Sequence, residues 1–455
     1  MARHIIVSYR LPVAGSGAGG LLVALQNALR DDPGLWIGHS GIITDTPSSD
    51  LRPMPEASGP RCLGFDLTPE AQAGFYTGFA NGVIWPLCHG RADLLHLDRK
   101  AAATYLQVNR DLARRMQPLL RAGDQIWIHD YHFLPLAHAL RAEGFAGAIG
   151  LFLHVPFPNR DLIRCLPDHR ALETWLGSFD VLGLQTERDV ARATAIFEGR
   201  QSPLIFSCPV GIEAQDMAAR AAALPDTAKN NSQPKKLIGV DRLDYSKGIP
   251  ERLRAFEHLL KTKPQRAGGV QLFQIAPPTR SEIEAYRDAR HKAERLVAAI
   301  NGRHATPDWT PIHYLHRNLP RDELIGYYRA AAVGVVTPLA DGMNLVAKEY
   351  IACQDPENPG VLVLSRFAGA AERLGAALVV NPYDSEALAE AYETALAMPL
   401  DERQDRYARL FDVISREDAN WWAQSFLMAL DGVQLRTRDE TWQRLVDFTA
   451  RLGMS

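Results

Sequence analysis

Cysteine is scarce in this chain. Five are scattered through 455 residues, at Cys62, Cys88, Cys165, Cys208 and Cys353, with no CxxC pair among them. An odd, dispersed set argues against a disulfide framework and against a zinc site, and fits reduced thiols in a cytoplasmic protein. Long apolar runs are also missing. Nothing approaches the ~18 consecutive apolar residues of a membrane span, and the opening MARHIIVSYR returns to a charged residue after six positions, too soon for the apolar region of a signal peptide. A net charge of -3 gives no pull toward nucleic acid or an anionic membrane. The rest is ordinary for a globular protein: 46% hydrophobic and 23% charged residues, enough to bury large cores. The length exceeds the ~100–200 residues of one domain, so two or three are expected.

Short apolar runs alternate with helical stretches along the whole chain. HIIVS (4–8) reads as an opening strand, followed by a glycine-rich loop from Ala14 to Gly20 and an apolar helix from Leu21 to Leu29. That order makes a generic phosphate cradle. QIWIHDYHFLPLAHAL (125–140), with its strand stopping at His129 and Asp130, IGLFLHVPFP (149–158) and VLGLQT (181–186) continue the pattern. From Pro225 to Pro234 the apolar content falls and turn formers gather, which reads as a linker. A second series follows, with strands near 236–244, 270–277, 332–338, 360–365 and 377–382. Such alternation means parallel βαβ units. The fold expected is α/β, with two doubly wound Rossmann-like domains facing a central cleft. The first would span 1–224 and the second 235–433, with a C-terminal helix at 434–455 rejoining the first.

Ligands in such sheets collect past the carboxyl ends of the strands, and chemistry-bearing residues concentrate there. The stretch VVTPLADGMNLVAKEY (335–350) runs from a strand through a loop into a helix, so the amides from Gly342 to Leu345 can face a phosphate. Asp341 and Glu349 share the phosphate's sign and suit sugar hydroxyls better, although a helix cap and a solvated first-turn acid account for them equally well. In RLDYSKG (242–248), Arg242 and Lys247 can both reach one diphosphate beside Gly248, neutralising a leaving group as its bond breaks. A salt bridge to Asp244 is the alternative. His129, Asp130 and His154 sit at strand ends in the first half, as does Arg10. The histidines are either structural or part of a site, and HDYH has no acidic or cysteine cluster at ligand spacing to make a metal centre. Tyr76 and Trp85, within GFYTGFANGVIWP, can stack on a sugar face or belong to the core.

Together these residues resemble the trehalose-6-phosphate synthases, retaining glycosyltransferases of the two-domain GT-B fold. The likeness covers about residues 5–430 through AGGL (18–21), NGVIWP (81–86), WIHDYH (127–132), HVPFP (154–158), RLDYSKG, WTP (309–311), DGMNLVAKEY (341–350) and NPYD (381–384). The resemblance implies glucose transfer from UDP-glucose to glucose-6-phosphate, giving α,α-trehalose 6-phosphate and UDP. UDP-glucose is then a co-substrate, and no cofactor or metal is implied. Gly19, Gly20, Arg242, Lys247, Leu319, Asp341, Gly342, Met343, Asn344, Leu345, Val346, Ala347, Lys348 and Glu349 would hold the donor, with Leu319 at the base and Glu349 at the ribose. Arg10, Tyr76, Trp85 and Asp130 would hold the acceptor, and His154 would lie beside the reacting carbon. Asp130, His154, Arg242, Lys247 and Asp341 would form the catalytic group. A homodimer or homotetramer is in keeping with the family.

The chain departs from the family pattern at Tyr9 (Asn in the family), His39 (Trp), Ala299 (Arg) and Ala340 (Arg). An arginine lost from a phosphate site costs ~2–3 kcal/mol, because hydrogen bonds to charged groups are the strong ones. The alternative acceptors are therefore glycerol phosphate, an unphosphorylated polyol or sugar, or an aminocyclitol. Arg303 or Arg317 replacing the missing cations would instead preserve glucose-6-phosphate.

Overall fold

The computed structural model describes residues 3–12, 25, 34–55, 61–224 and 234–436. The glycine loop with Gly19 and Gly20, most of the 225–234 stretch and all but 434–436 of the C-terminal helix expected at 434–455 lie outside the described residues. The chain forms two compact units, Met1–Val210 with Ala419–Ser455, and Gly211–Asp418.

The first unit holds a sheet of β1 (His4–Arg10), β2 (Leu35–Ile43), β3 (Arg52–Pro53), β4 (Arg61–Leu67), β5 (Gln125–His129), β6 (Ile149–Phe152), β7 (Val181–Leu184) and β8 (Leu204–Ser207). Their order is β3-β4-β2-β1-β5-β6-β7-β8, parallel except where β3 meets β4. Ile5–Val7, Ile126–Ile128 and Ile149–Phe152 are continuous apolar runs because helices cover both faces of a parallel sheet. β1 is flanked by β2 on one side and β5 on the other, so the order reverses there and opens a crevice at the carboxyl ends.

The closing helix Ala419–Arg436 completes this unit. Trp422 and Phe426 are fully buried, with their rings 5.2 and 4.6 Å from that of Trp127 on β5. The stretch Gln72–Ile84 is wound as a π-helix and leads directly into the helical turn of Trp85. Within it the Asn81 side-chain amide donates to the Tyr76 carbonyl at 2.9 Å.

In the second unit, β9 (Lys235–Val240), β10 (Val270–Ile275), β11 (Ile312–Leu315), β12 (Val333–Val336), β13 (Val361–Ser365) and β14 (Leu378–Val380) make a parallel sheet. Its order, β11-β10-β9-β12-β13-β14, is the 3-2-1-4-5-6 of a Rossmann sheet, with the switch point between β9 and β12. The expected α/β class with two doubly wound, Rossmann-like sheets is thus borne out.

The chain passes between units at Val210/Gly211 and Asp418/Ala419, earlier than the boundaries expected at 224 and 433. Residues 211–224 lie in the second unit because the helix Ala214–Ala222 buries Met217 and Ala221 and packs on the helices Arg321–Ala330 and Leu345–Ala352. Residues 419–433 lie in the first because Trp422 and Phe426 do. The two crossing points adjoin: a Cβ on Gly211 would stand 2.2 Å from the carbonyl carbon of Asp418.

Candidate active site

At the switch point of the second unit, the loops after β9 and β12 are tied together. Leu339 N–H donates to the Ser246 carbonyl at 2.7 Å. Gly248 has φ 65°, and a Cβ there would meet the Thr337 carbonyl oxygen at 2.2 Å, so both conformation and space demand glycine. This approach sets the Lys247 ammonium 2.6 Å from Asp341 Oδ2. Asn344 Nδ2 donates to the same oxygen at 3.0 Å.

Asn344 sits at φ 78° and caps the helix Leu345–Ala352, its side-chain oxygen accepting from Ala347 N–H. Asp341 is therefore not the cap; it is the ion-pair partner of Lys247. That also settles the alternative for Lys247, whose carboxylate is Asp341 and not Asp244. Arg280 lies 3.6 Å from Asp244. Arg242 is exposed at the end of β9.

Gly342, Met343, Ala347 and Lys348 are buried, whereas Leu345, Val346 and Leu319 are partly so. Glu349 is no solvated acid. Burial raises its carboxyl above the usual range, against the opposing pull of Arg321 and a hydrogen bond from the Tyr328 hydroxyl at 3.3 Å.

Beneath these loops lies an arginine that sequence reasoning missed. Arg252, fully buried, makes an ion pair with Asp241 at 2.8 Å and donates to Thr337 Oγ1 at 3.1 Å and Gln274 Oε1 at 2.8 Å. It thereby ties together the carboxyl ends of β9, β10 and β12. Its signal was positional. Ile249, Arg252, Leu253 and Phe256 fall on one helical face, and all are buried.

In the first unit, Arg10 is exposed at the end of β1. Beside it Tyr9 stacks on His39, Tyr76 and His132, with ring centroids 5.3, 4.5 and 4.8 Å away, and its hydroxyl donates to Gln72 Oε1 at 2.9 Å. Two of the departures from the family pattern thus touch each other, and one of them, Tyr9, also stacks on Tyr76. Burial pushes the His39 imidazole below its usual range, although a backbone hydrogen bond to Ile42 and the charge of Asp66 oppose this. Trp85 is buried and stacks on His89 at 4.1 Å.

Asp130 takes φ 69° immediately after β5, a conformation that non-glycine residues adopt mainly where their surroundings enforce it. Its Oδ1 accepts from the His154 backbone N–H at 3.3 Å. His129 is fully buried, and its Nδ1 lies 3.2 Å from His154 Nε2. Burial pushes His154 down to about 3 and depresses His129 too, with His154 adding to the effect. Both rings are neutral at physiological pH.

Of the cations invoked to replace Ala299 and Ala340, Arg303 is already committed: its Nε and Nη2 lie 2.8 and 2.7 Å from Glu257 Oε1. Ala299 and Arg317 are exposed. Among the described residues no helix is long and apolar enough to cross a membrane.

Two Rossmann-like units, each with charged and polar groups gathered at the carboxyl ends of its strands, are the architecture of the GT-B glycosyltransferases. The model of glycosyltransferase family 20 matches residues 12–432, and the chain belongs to that family. It is 41% identical over 473 residues to the trehalose-6-phosphate synthase of Salmonella arizonae, covering 98% of each chain. Among solved structures, it is similar to the UDP-forming α,α-trehalose-phosphate synthase of Burkholderia xenovorans in complex with glucose-6-phosphate, with TM-score 0.89, 42% identity, and 94% and 100% of the two chains covered. A structure of trehalose-6-phosphate from E. coli bound with UDP-2-fluoro glucose matches with TM-score 0.89 and 41% identity, over 94% of this chain and 99% of the other.

Proposed function

We propose that this chain is a UDP-forming trehalose-6-phosphate synthase, moving glucose from UDP-glucose to glucose-6-phosphate with retention of configuration. The observation that carries the proposal is the cluster of Lys247, Asp341 and Asn344 at the switch point of the second unit. It supplies an ammonium for a diphosphate and a carboxylate for sugar hydroxyls within one turn of a helix start. Lys247 has three donor directions and spends one on Asp341. The others serve the phosphate, with Arg242 adding a fork that neutralises the departing UDP. This charge does the work a divalent metal would otherwise do, so neither a metal nor an organic cofactor is needed. Asp341 orients the transferred sugar, Glu349 accepts from the ribose, and Leu319 lies at the base. Arg10, Tyr76, Trp85 and Asp130 hold the acceptor, whose hydroxyl proton passes to a donor phosphate oxygen on the same face.

The test is UDP release from UDP-glucose with glucose-6-phosphate, glycerol phosphate, glucose and an aminocyclitol phosphate supplied separately. Release with glucose-6-phosphate supports the proposal, and its absence refutes it. A second reading, a changed acceptor, is favoured by one specific arrangement: Tyr9 and His39 fill the end of β1 with stacked rings while Arg303 is held by Glu257. Release with another acceptor alone would establish it.

A further inference from the structure

His129 and His154 come from adjacent strand ends, yet only His154 is reachable from solvent. Their ring centroids are 5.5 Å apart and the planes differ by 23°. With Nδ1 of His129 only 3.2 Å from Nε2 of His154, the rings meet edge to edge, in the geometry of a hydrogen bond and not of a stack. One proton lies between them, and which ring owns it decides what His154 presents.

If His154 donated from Nε2, His129 would accept on Nδ1 and carry its own proton on Nε2. That atom is buried with no hydrogen-bond partner, so a buried N–H would be orphaned. The surrounding pocket already contains the indole N–H groups of Trp127 and Trp422, both likewise without an acceptor. Their rings lie 4.5 and 6.1 Å from His129. A third orphaned donor is the costlier choice, since unsatisfied acceptors are better tolerated than unsatisfied N–H groups. If His129 instead donates from Nδ1, its Nε2 carries only a lone pair and no further N–H is orphaned there.

We propose that His129 is a positioning residue: it donates from Nδ1 to Nε2 of His154 and holds His154 in the Nδ1–H tautomer. His154 then offers a hydrogen-bond donor at its free edge and never a lone pair. Its ring is clamped by Phe152 at 4.7 Å and Trp422 at 5.9 Å, and its backbone N–H is fixed by Asp130. The group it recognises is an oxygen lone pair of the transferred sugar. An ammonium at that position finds no acceptor. This rests on the proposed function only in taking His154 to lie beside the reacting carbon of the transferred sugar, as the resemblance to the family implies.

Long-range 1H–15N correlation of the full chain with labelled histidine reads the tautomer directly and needs no turnover. Native His154 is expected to show a protonated Nδ1 and a bare Nε2. His129→Asn places a side-chain amide where Nδ1 stood and keeps that pattern. His129→Phe gives a mixture, with kcat down about tenfold or more, recovered in large part by His129→Asn. A protonated Nε2 on native His154, or a tautomer unchanged in His129→Phe, overturns the inference. Should His129→Phe not fold, the native spectrum and His129→Asn remain decisive. A protonated Nδ1 together with no turnover of UDP-glucose would leave the positioning role intact and sink the proposed function alone.

Discussion

Replacing Arg252 with methionine is the most demanding test of how the second unit holds its site. The Arg252 and Asp241 side chains are 0% and 3% exposed, so truncation leaves a carboxylate in a place water cannot reach. Breaking a buried pair from one side costs ~3–5 kcal/mol. Thr337 Oγ1 and Gln274 Oε1, both fully buried, lose a donor as well. These losses belong to one network and do not add in full, so about 4 kcal/mol is expected in total. The deficit depends on pH in a definite sense. Burial already raises Asp241 despite the opposing charges of Arg252 and Lys247, and removing Arg252 raises it further. A carboxyl with a raised folded-state pKa favours the native state below its unfolded pKa and loses that advantage as pH climbs through the folded value. Urea unfolding of the full chain is therefore expected to show a larger deficit at neutral pH than in mild acid. Adding Asp241→Asn should recover a substantial part of it. A loss below ~1 kcal/mol, within the range of an ordinary surface contact, or a double variant no better than Arg252→Met, would refute the reasoning.

Lys247→Ala is expected to lower kcat by about 10²–10³-fold with every acceptor, as for other groups that stabilise developing charge; steady-state UDP release checks this. Gly248→Ala forces a side chain into φ 65° and onto the Thr337 carbonyl, and calorimetry should show destabilisation above the ~1–2 kcal/mol of the backbone term alone. Tyr9→Ala dismantles the ring stack and is expected to raise the acceptor KM severalfold while leaving the donor KM within about twofold, as an initial-rate matrix in both substrates would reveal. His39, His129 and His154 are all depressed by burial. The unfolded chain therefore binds more protons between the usual histidine pKa and the folded values. Stability present above pH ~6.5 should decline as pH falls toward 4, and urea midpoints should fall less in His129→Asn than in the native chain.

The strands were legible because parallel sheets demand unbroken apolar runs, and Ile126–Ile128 or Val333–Val336 supply them. Candidate site residues stand out because strand ends are where polar groups interrupt such runs: Asp130, Arg242 and Asp341 each follow one. Arg252 was hidden because a charged residue inside PERLRAFEHL looks solvated until its helical face is known. The stack around Tyr9 draws on segments far apart in sequence. It exists only because β1 and β2 pair with Arg10 opposite His39, a register no local pattern specifies. The crossing at Gly211 carries no shift in composition, whereas the turn-rich stretch at 225–234 does, and that more visible signal lies beyond the crossing. The π-helical winding of Gln72–Ile84 has no apolar period of its own to announce it.

The double crossing at Gly211 and Asp418 also orders events on the ribosome. The first unit is synthesised in two instalments, separated by the whole of the second. Until the second has emerged, β5 and its neighbours wait without Trp422 and Phe426, so the half of the protein that begins first is the half that can finish folding only last.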